Sequence, residues 1–343
     1  MNVTSILVVN MNYLGDALMT TPVIRALKST FPSSRIDVIA GATATYGAFD
    51  ILSLDPDVDQ LIPRAPGGSF YRGRQLFKVI KAGEYDLVVV LPSLPFYSFI
   101  AKLTGRRVVT VPKADETKHM ADHMLDSITA QIPLDSVSRS LVMAVPDRAG
   151  QFTELTLGKL EPGRNLVAFN LGASRPQKRW PAAHFAACAK LVVEAGFNLM
   201  LIGGQNEPDI AAAETVMAQF PANVTPGVCN ILNLVGETTL EQLSAVIGKS
   251  SVVVTADTGA MHIASALMIP LVTLFGSTSP GFTGPYGEGG KKIILDLALP
   301  CAPCITHPTC NGRYDCMTGI RPEDVFASIL KLTTVFEEST ACG

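Results

Sequence analysis

SVVVTADTGAMHIASALMIPLVTLFGSTSP, residues 251–280, decides the reading of this chain. The β-branched run at 252–255 ends in Ala256-Asp257-Thr258-Gly259. Helical spacing follows at once, through Met261, Ala264, Ser265, Leu267 and Met268. Beyond Pro270 a second apolar run, 271–275, closes on Gly276, Ser277 and Thr278. Strand, turn, helix and strand in that order predict one crossover of a parallel sheet. Ligands of open α/β sheets bind at the carboxyl ends of the strands. A helix N-terminus, with its N–H groups and dipole, favours an anion. Asp257-Thr258-Gly259 is therefore a candidate phosphate or pyrophosphate turn, with His262 a candidate beside it. A capped turn without ligand reads the same residues as well, since Asp and Thr are ordinary N-caps.

Composition sets the bounds. The chain has 343 residues, enough for two domains, with 48% hydrophobic and 17% charged residues. That predicts a large core and excludes general disorder. A net charge of −3 gives no global pull toward nucleic acid. No apolar run approaches the ~20 residues that span a bilayer. The first ten residues, MNVTSILVVN, lack the basic region of a signal peptide and read as a first strand. The expectation is a cytosolic protein.

The same alternation recurs on both sides of the chain. Strands are expected at 6–9, 36–40, 87–91 and 108–111, with helices at 17–30 and 96–103. Pro22 is tolerable in a first helical turn and implies a kink further in. Residues 145–164 carry Pro146, Gly150, Gly158, Pro162 and Gly163 around a short helical pattern, and read as an interdomain linker. A second set follows: strands at 166–170 and 199–202, helices at 184–194, 209–219 and 239–247, and a final helix at 322–336. Two α/β halves, 1–150 and 165–320, predict parallel sheets and a ligand cleft between domains.

Four further segments bear candidate chemistry. Asn10-Met11-Asn12-Tyr13-Leu14-Gly15-Asp16 follows the first strand, without the G-x-G-x-x-G of a dinucleotide fold. Asp16 at a helix start is either an N-cap or a base able to accept a hydroxyl proton. In residues 170–181, NLGASRPQKRWP, a Gly/Ser loop with Gly172 and Ser174 runs into Arg175, Lys178 and Arg179. Such a loop can cradle phosphate, and Lys178 can stabilise a departing diphosphate; a solvated basic loop is the alternative, with Trp180 packed at the helix entry. Glu207, after Gly203-Gly204, suits ribose hydroxyls, whereas Glu241 reads as a first-turn acid. Cys301, Cys304, Cys310 and Cys316 contain one C-x2-C half-site for zinc. Reduced thiols, a structural zinc ion and oxidised pairs are the three readings, and none makes these cysteines catalytic.

Together these segments resemble glycosyltransferase family 9, the heptosyltransferases of lipopolysaccharide core assembly, and its heptosyltransferase II branch in particular. Four stretches carry the resemblance: 12–32, 171–181, 256–280 and the cysteine-rich 301–325. The resemblance implies a GT-B fold of two Rossmann-like domains facing across a cleft, with residues 321–343 returning to the first domain. It implies inverting transfer of heptose from ADP-heptose to a lipopolysaccharide inner-core acceptor, with no catalytic metal and no required cofactor beyond a possible structural zinc. Asp16 corresponds to the catalytic base, Lys178 to the cation at the diphosphate, Asp257, Thr258 and Gly259 to the sugar-nucleotide loop, and Glu207 to a ribose-contacting acid. Some members carry an Arg shortly before the Gly-Asp pair, where this chain has Met11 and Asn12.

A lipid-anchored acceptor implies peripheral contact with the inner face of the cytoplasmic membrane. Arg72, Arg74 and Lys118, among the cations of the first half, are candidates to meet acceptor phosphates and carboxylates; scattered surface charge is the alternative. A GT-B-like sugar-nucleotide epimerase, a transferase using another nucleotide sugar and a non-catalytic nucleotide-binding module are the competing functions. The epimerase reading calls for more acid/base groups near the sugar than the sequence offers.

Overall fold

The computed structural model describes residues 3–10, 14–41, 47–91, 95–114, 116–220 and 230–340, with side chains described as far as residue 333. The chain divides into two compact units, Met1–Ala144 with Tyr286–Glu288, and Val145–Pro285 with Gly289–Gly343.

The first unit runs β1 (Ser5–Asn10), α1 (Leu14–Thr30), β2 (Arg35–Ala40), α2 (Ala48–Leu52), β3 (Gln60–Pro63), α3 (Ser69–Gly83), β4 (Leu87–Leu91), α4 (Pro95–Lys102), β5 (Arg107–Thr110) and α5 (Met120–Thr129). Its strands are parallel in the order β3-β2-β1-β4-β5. Strands covered on both faces read as unbroken apolar runs, and Ile6, Leu7, Val8 and Val9 are fully buried. The chain adds strands first to one side of β1 and then to the other. That reversal lies between β1 and β4 and opens at their carboxyl ends, where α1 begins.

Helix α1 starts three residues before the expected position, so Pro22 falls inside it. Pro22 has no N–H for the Leu18 carbonyl. The Thr21 hydroxyl donates to that carbonyl instead, at 2.8 Å. Thr20 donates to the Ala17 carbonyl at 2.6 Å and accepts from Asn10 Nδ2 at 3.2 Å, tying the end of β1 to the helix.

The second unit runs α6 (Gly150–Leu157), β6 (Leu166–Asn170), α7 (Ala182–Glu194), β7 (Asn198–Ile202), α8 (Glu207–Met217), β8 (Ile231–Asn233), α9 (Leu240–Ile247), β9 (Val252–Ala256), α10 (Gly259–Ala266), β10 (Leu271–Phe275), α11 (Pro280–Thr283), β11 (Lys292–Asp296), α12 (Asp315–Thr318) and α13 (Pro322–Thr340). Its parallel sheet is ordered β11-β10-β9-β6-β7-β8, a doubly wound arrangement with its reversal between β6 and β9. The crossover expected at 251–280 is β9, α10 and β10.

Two expectations are corrected here. The short helical pattern within 145–164 is α6, which packs on α9, so the segment belongs to the second unit rather than linking the two. The described face of α13 belongs to the second unit rather than returning to the first. Val325, Ile329 and Leu332 are buried in one cluster with Trp180, Phe185 and Val254. The apolar stripe that identified the helix is therefore used up within this core; the side chain of Phe336, placed on the same stripe, lies outside the described residues. No helix among the described residues is long and apolar enough to cross a membrane.

Asp55, 4% exposed, accepts from the Asp57 N–H at 3.0 Å through Oδ1, while Oδ2 has no hydrogen-bond donor among the described residues. Burial raises its pKa to about 7. The raised folded value means that the unfolded chain releases this proton first, so stability falls as pH rises from about 4 to about 7. Asp55→Asn is expected to flatten that part of the stability profile and raise stability at pH 7, as read by urea unfolding at half-unit pH steps.

Candidate functional site

The carboxyl ends of β6 and β9 flank the reversal in the second sheet. Three loops meet there: residues 171–181 after β6, 203–206 after β7, and Asp257-Thr258 after β9. Asn170, 7% exposed, closes β6. Its Nδ2 donates to Thr255 Oγ1 at 2.9 Å, Thr258 Oγ1 at 3.0 Å and the Gly172 carbonyl at 3.2 Å. One buried amide thus fixes the two loops on either side of the reversal.

Lys178 enters from the β6 loop. Its Nζ is 2.6 Å from Asp257 Oδ2 and 3.4 Å from the Asp257 carbonyl oxygen. Thr283 Oγ1 donates to the same carboxylate oxygen at 3.3 Å. The Lys178 and Asp257 side chains are 16% and 8% exposed, so the pair lies largely out of water. Asp257 therefore does not cap α10. Thr258 occupies the N-cap position, but its hydroxyl makes no capping hydrogen bond; it bonds Asn170 and, at 3.1 Å, Thr255. The two side chains expected as ordinary caps are engaged elsewhere. The first N–H groups of a helix lack intrahelical partners, so α10 presents an N-terminus without a side-chain cap beside a fixed ammonium.

Arg179 braces the loops. It pairs with Asp209 at 2.6 Å, donates to the Ala173 carbonyl at 2.6 Å and reaches Asn206 Oδ1 at 3.4 Å. Asp209, 2% exposed, also accepts from the Gly204 N–H at 2.8 Å. Gly172 is required by this packing, because a Cβ there would fall 2.7 Å from Asp209 Oδ2. Glu207, the acid expected at a ribose, is the exposed first residue of α8, and Ser174 is exposed on the basic loop. His262 is buried in α10.

The cysteine-rich segment supports the basic loop from beneath its chain. The Ile305 carbonyl accepts from Arg175 Nη1 at 2.9 Å and Gln177 Nε2 at 3.0 Å. The Ile320 carbonyl accepts from Trp180 Nε1 at 2.9 Å. Cys301 is exposed, Cys304 and Cys310 are half-buried, and Cys316 is buried in the core cluster. Burial raises the Cys316 pKa. Among the described residues no three Cys, His, Asp or Glu side chains are placed to hold a metal ion. A pocket of about 400 Å³ lined by Leu171, Arg179, Trp180, Pro208 and Tyr314 lies in the same unit; Lys178 and Asp257 do not line it.

In the first unit Asp16 occupies the first turn of α1, half-exposed, at that sheet's own reversal. Met11, Asn12 and Tyr13 lie outside the described residues. Arg72 is half-buried and Arg74 exposed on α3. Lys118 is ion-paired with Asp126, whose hydrogen bond raises the lysine pKa. Three residues of the site were not foreseen. Asn170 repeats the buried Asn10 that ends β1, a signal visible in the sequence. Asp209 stands three residues after Asn206, whose side chain accepts from its N–H at 3.2 Å; that spacing signals a helix cap and nothing about Arg179. Thr283 carries no local signal.

Residues 73–315 match the family model described as glycosyltransferase family 9 (heptosyltransferase). The chain is 30% identical to lipopolysaccharide heptosyltransferase 2 of Escherichia coli K12, over 94% of this chain and 97% of that one. It is 28% identical to the Salmonella typhimurium protein of the same name, over 95% and 98%. The structure of E. coli ADP-heptose LPS heptosyltransferase II superposes with a TM-score of 0.76 at 24% identity, covering 97% of this chain and all (100%) of that one. A family 9 glycosyltransferase from Veillonella parvula gives 0.78 at 23% identity, covering 97% and 98%. These likenesses show the fold, α/β of the GT-B class.

The Arg179–Asp209 pair generates an expectation that needs no ligand. Arg179→Met leaves a carboxylate buried without its cation, which costs about 3–5 kcal/mol in such settings. Arg179→Met/Asp209→Asn is expected to recover more than half of that loss in chemical denaturation.

Proposed function

From the premise that the chain belongs to glycosyltransferase family 9, the heptosyltransferases, we propose that it moves a heptose from ADP-heptose to a lipopolysaccharide inner-core acceptor with inversion at the anomeric carbon. The relatives named above supply the substrate class. The observation that carries the chemistry is Lys178, held by Asp257 beside the α10 N-terminus at the β6–β9 reversal.

In this reading the Lys178 ammonium and the first N–H groups of α10, at Gly259, meet the donor diphosphate. Asp257 is anionic and contacts Lys178 rather than phosphate. Gly172 and Ser174 belong to the loop assigned to the donor, and Glu207 is assigned to the ribose. Asp16 is the general base. Its carboxylate takes the proton of an acceptor hydroxyl as that oxygen attacks the anomeric carbon. The bond from that carbon to the diphosphate oxygen breaks with the electron pair leaving on ADP. Charge grows on the leaving group, and Lys178 with the helix dipole stabilises it more as the bond breaks. A cation and backbone N–H groups can carry this charge, so we assign no catalytic metal. Arg72 and Arg74 are assigned to acidic groups of the acceptor, and contact with the membrane is peripheral.

The test is transfer from ADP-heptose to a Kdo-containing lipid A acceptor, followed by mass spectrometry of the product. Asp16→Ala is expected to lower kcat by about 10²–10⁴-fold with ADP affinity within twofold of the parent. Near-normal turnover in that variant removes the base assignment. Transfer is expected to persist in EDTA; activity that vanishes with EDTA and returns with Mg²⁺ contradicts the metal-free assignment.

A further inference from the structure

We propose that the outer face of α3 and α4 docks on a lipid bilayer bearing anionic headgroups. The inference deepens the peripheral membrane contact in the function proposed above by naming its surface. Phe70, Tyr71, Phe99 and Leu103 are 73%, 63%, 59% and 56% exposed, and Phe77 and Phe96 are exposed beside them. Exposed apolar groups are ordinary when scattered. These six come from two adjacent helices and the residue that follows one of them. Gly73 of α3 brings the helices together: a Cβ there would lie 2.7 Å from the Phe96 ring and 3.5 Å from Ile100. At the other end Lys81 Nζ donates to the Thr104 carbonyl at 2.9 Å.

The charge on this face has one sign. Residues 60–114 contain nine Lys and Arg against two acids, Glu84 and Asp86, in a chain whose net charge is −3. Neither acid lies within the helices. Glu84 is the C-cap of α3, and Asp86 accepts from the N–H groups of Thr4 and Ser5 at 2.8 and 3.1 Å, at the start of β1. On α3 the exposed cations Arg74, Lys78 and Lys81 recur at the same three- and four-residue spacing as Phe70 and Phe77. Aromatic and aliphatic groups that enter the headgroup boundary, flanked by cations that meet anionic lipid, define an interfacial surface. A second copy of the chain fits this face poorly, because a two-fold contact sets like charges against each other.

The experiment is co-sedimentation with vesicles of phosphatidylethanolamine and phosphatidylglycerol, against vesicles of phosphatidylcholine alone. The parent is expected to partition onto the anionic vesicles at least about tenfold better, with the preference falling as salt rises. Phe70→Ser/Phe99→Ser/Leu103→Ser and Lys78→Glu/Lys102→Glu are each expected to lose about tenfold or more in partitioning, with unchanged melting temperatures. The apolar variant is expected to transfer heptose to a water-soluble, deacylated acceptor at the parent rate. Equal binding to both vesicle types, or variants that bind like the parent, overturns the docking face. So does a parent dimer in sedimentation velocity that the apolar variant dissociates, which makes the face a self-association surface. If docking fails while the parent still transfers heptose, the function stands without this surface; if vesicles bind and no heptose is transferred, the function fails alone.

Discussion

An ammonium and a carboxylate 2.6 Å apart, supplied by loops from two neighbouring strands, tie together the strand-end loops of the second unit. Taking both charges out of water costs several kcal/mol per ion, and their attraction repays it only with good geometry and further hydrogen bonds. Here the Asp257 carbonyl and the Thr283 hydroxyl supply some of those bonds. A pair of this kind is a poor device for stability and a good one for position. The pair holds the Lys178 ammonium largely out of water and in a fixed direction, which suits the leaving-group role proposed for it.

The rest of the unit serves that placement. Arg179 holds the β6 loop to Asp209, Asp209 holds Gly204, and the Ile305 carbonyl holds Arg175 and Gln177. The basic loop is thus tied on both sides. Its Trp180 is buried against Phe185, ring centroids 4.7 Å apart, in the core that α13 completes. The two units repeat one solution. The first strand of each unit ends in a buried asparagine, Asn10 or Asn170, whose amide donates to threonine hydroxyls.

The sequence revealed those parts of the fold that burial writes in continuous form. β4, β6, β9 and β10 are buried along their whole length and read as apolar runs. β3, β8 and β11 were missed because each is short or partly exposed at a sheet edge, leaving no periodic signal. Helix α3 escaped because Phe70, Tyr71 and Phe77 face outward, so its apolar residues do not form one inward stripe. In the site, Lys178 and Asp257 were legible as chemistry at strand ends. Arg179 and Asp209, thirty residues apart in the chain, were not legible as a pair, and the nearby Glu207 looked the more useful acid.

In the proposed function Lys178 serves the second phosphate of the leaving nucleotide. Calorimetric titration of the parent and of Lys178→Met with ADP and with AMP isolates that phosphate. ADP affinity is expected to fall at least about tenfold in the variant, the scale of one charge-assisted contact, while AMP affinity changes less than threefold. Equal losses for the two nucleotides, or unchanged ADP affinity, would place the diphosphate elsewhere.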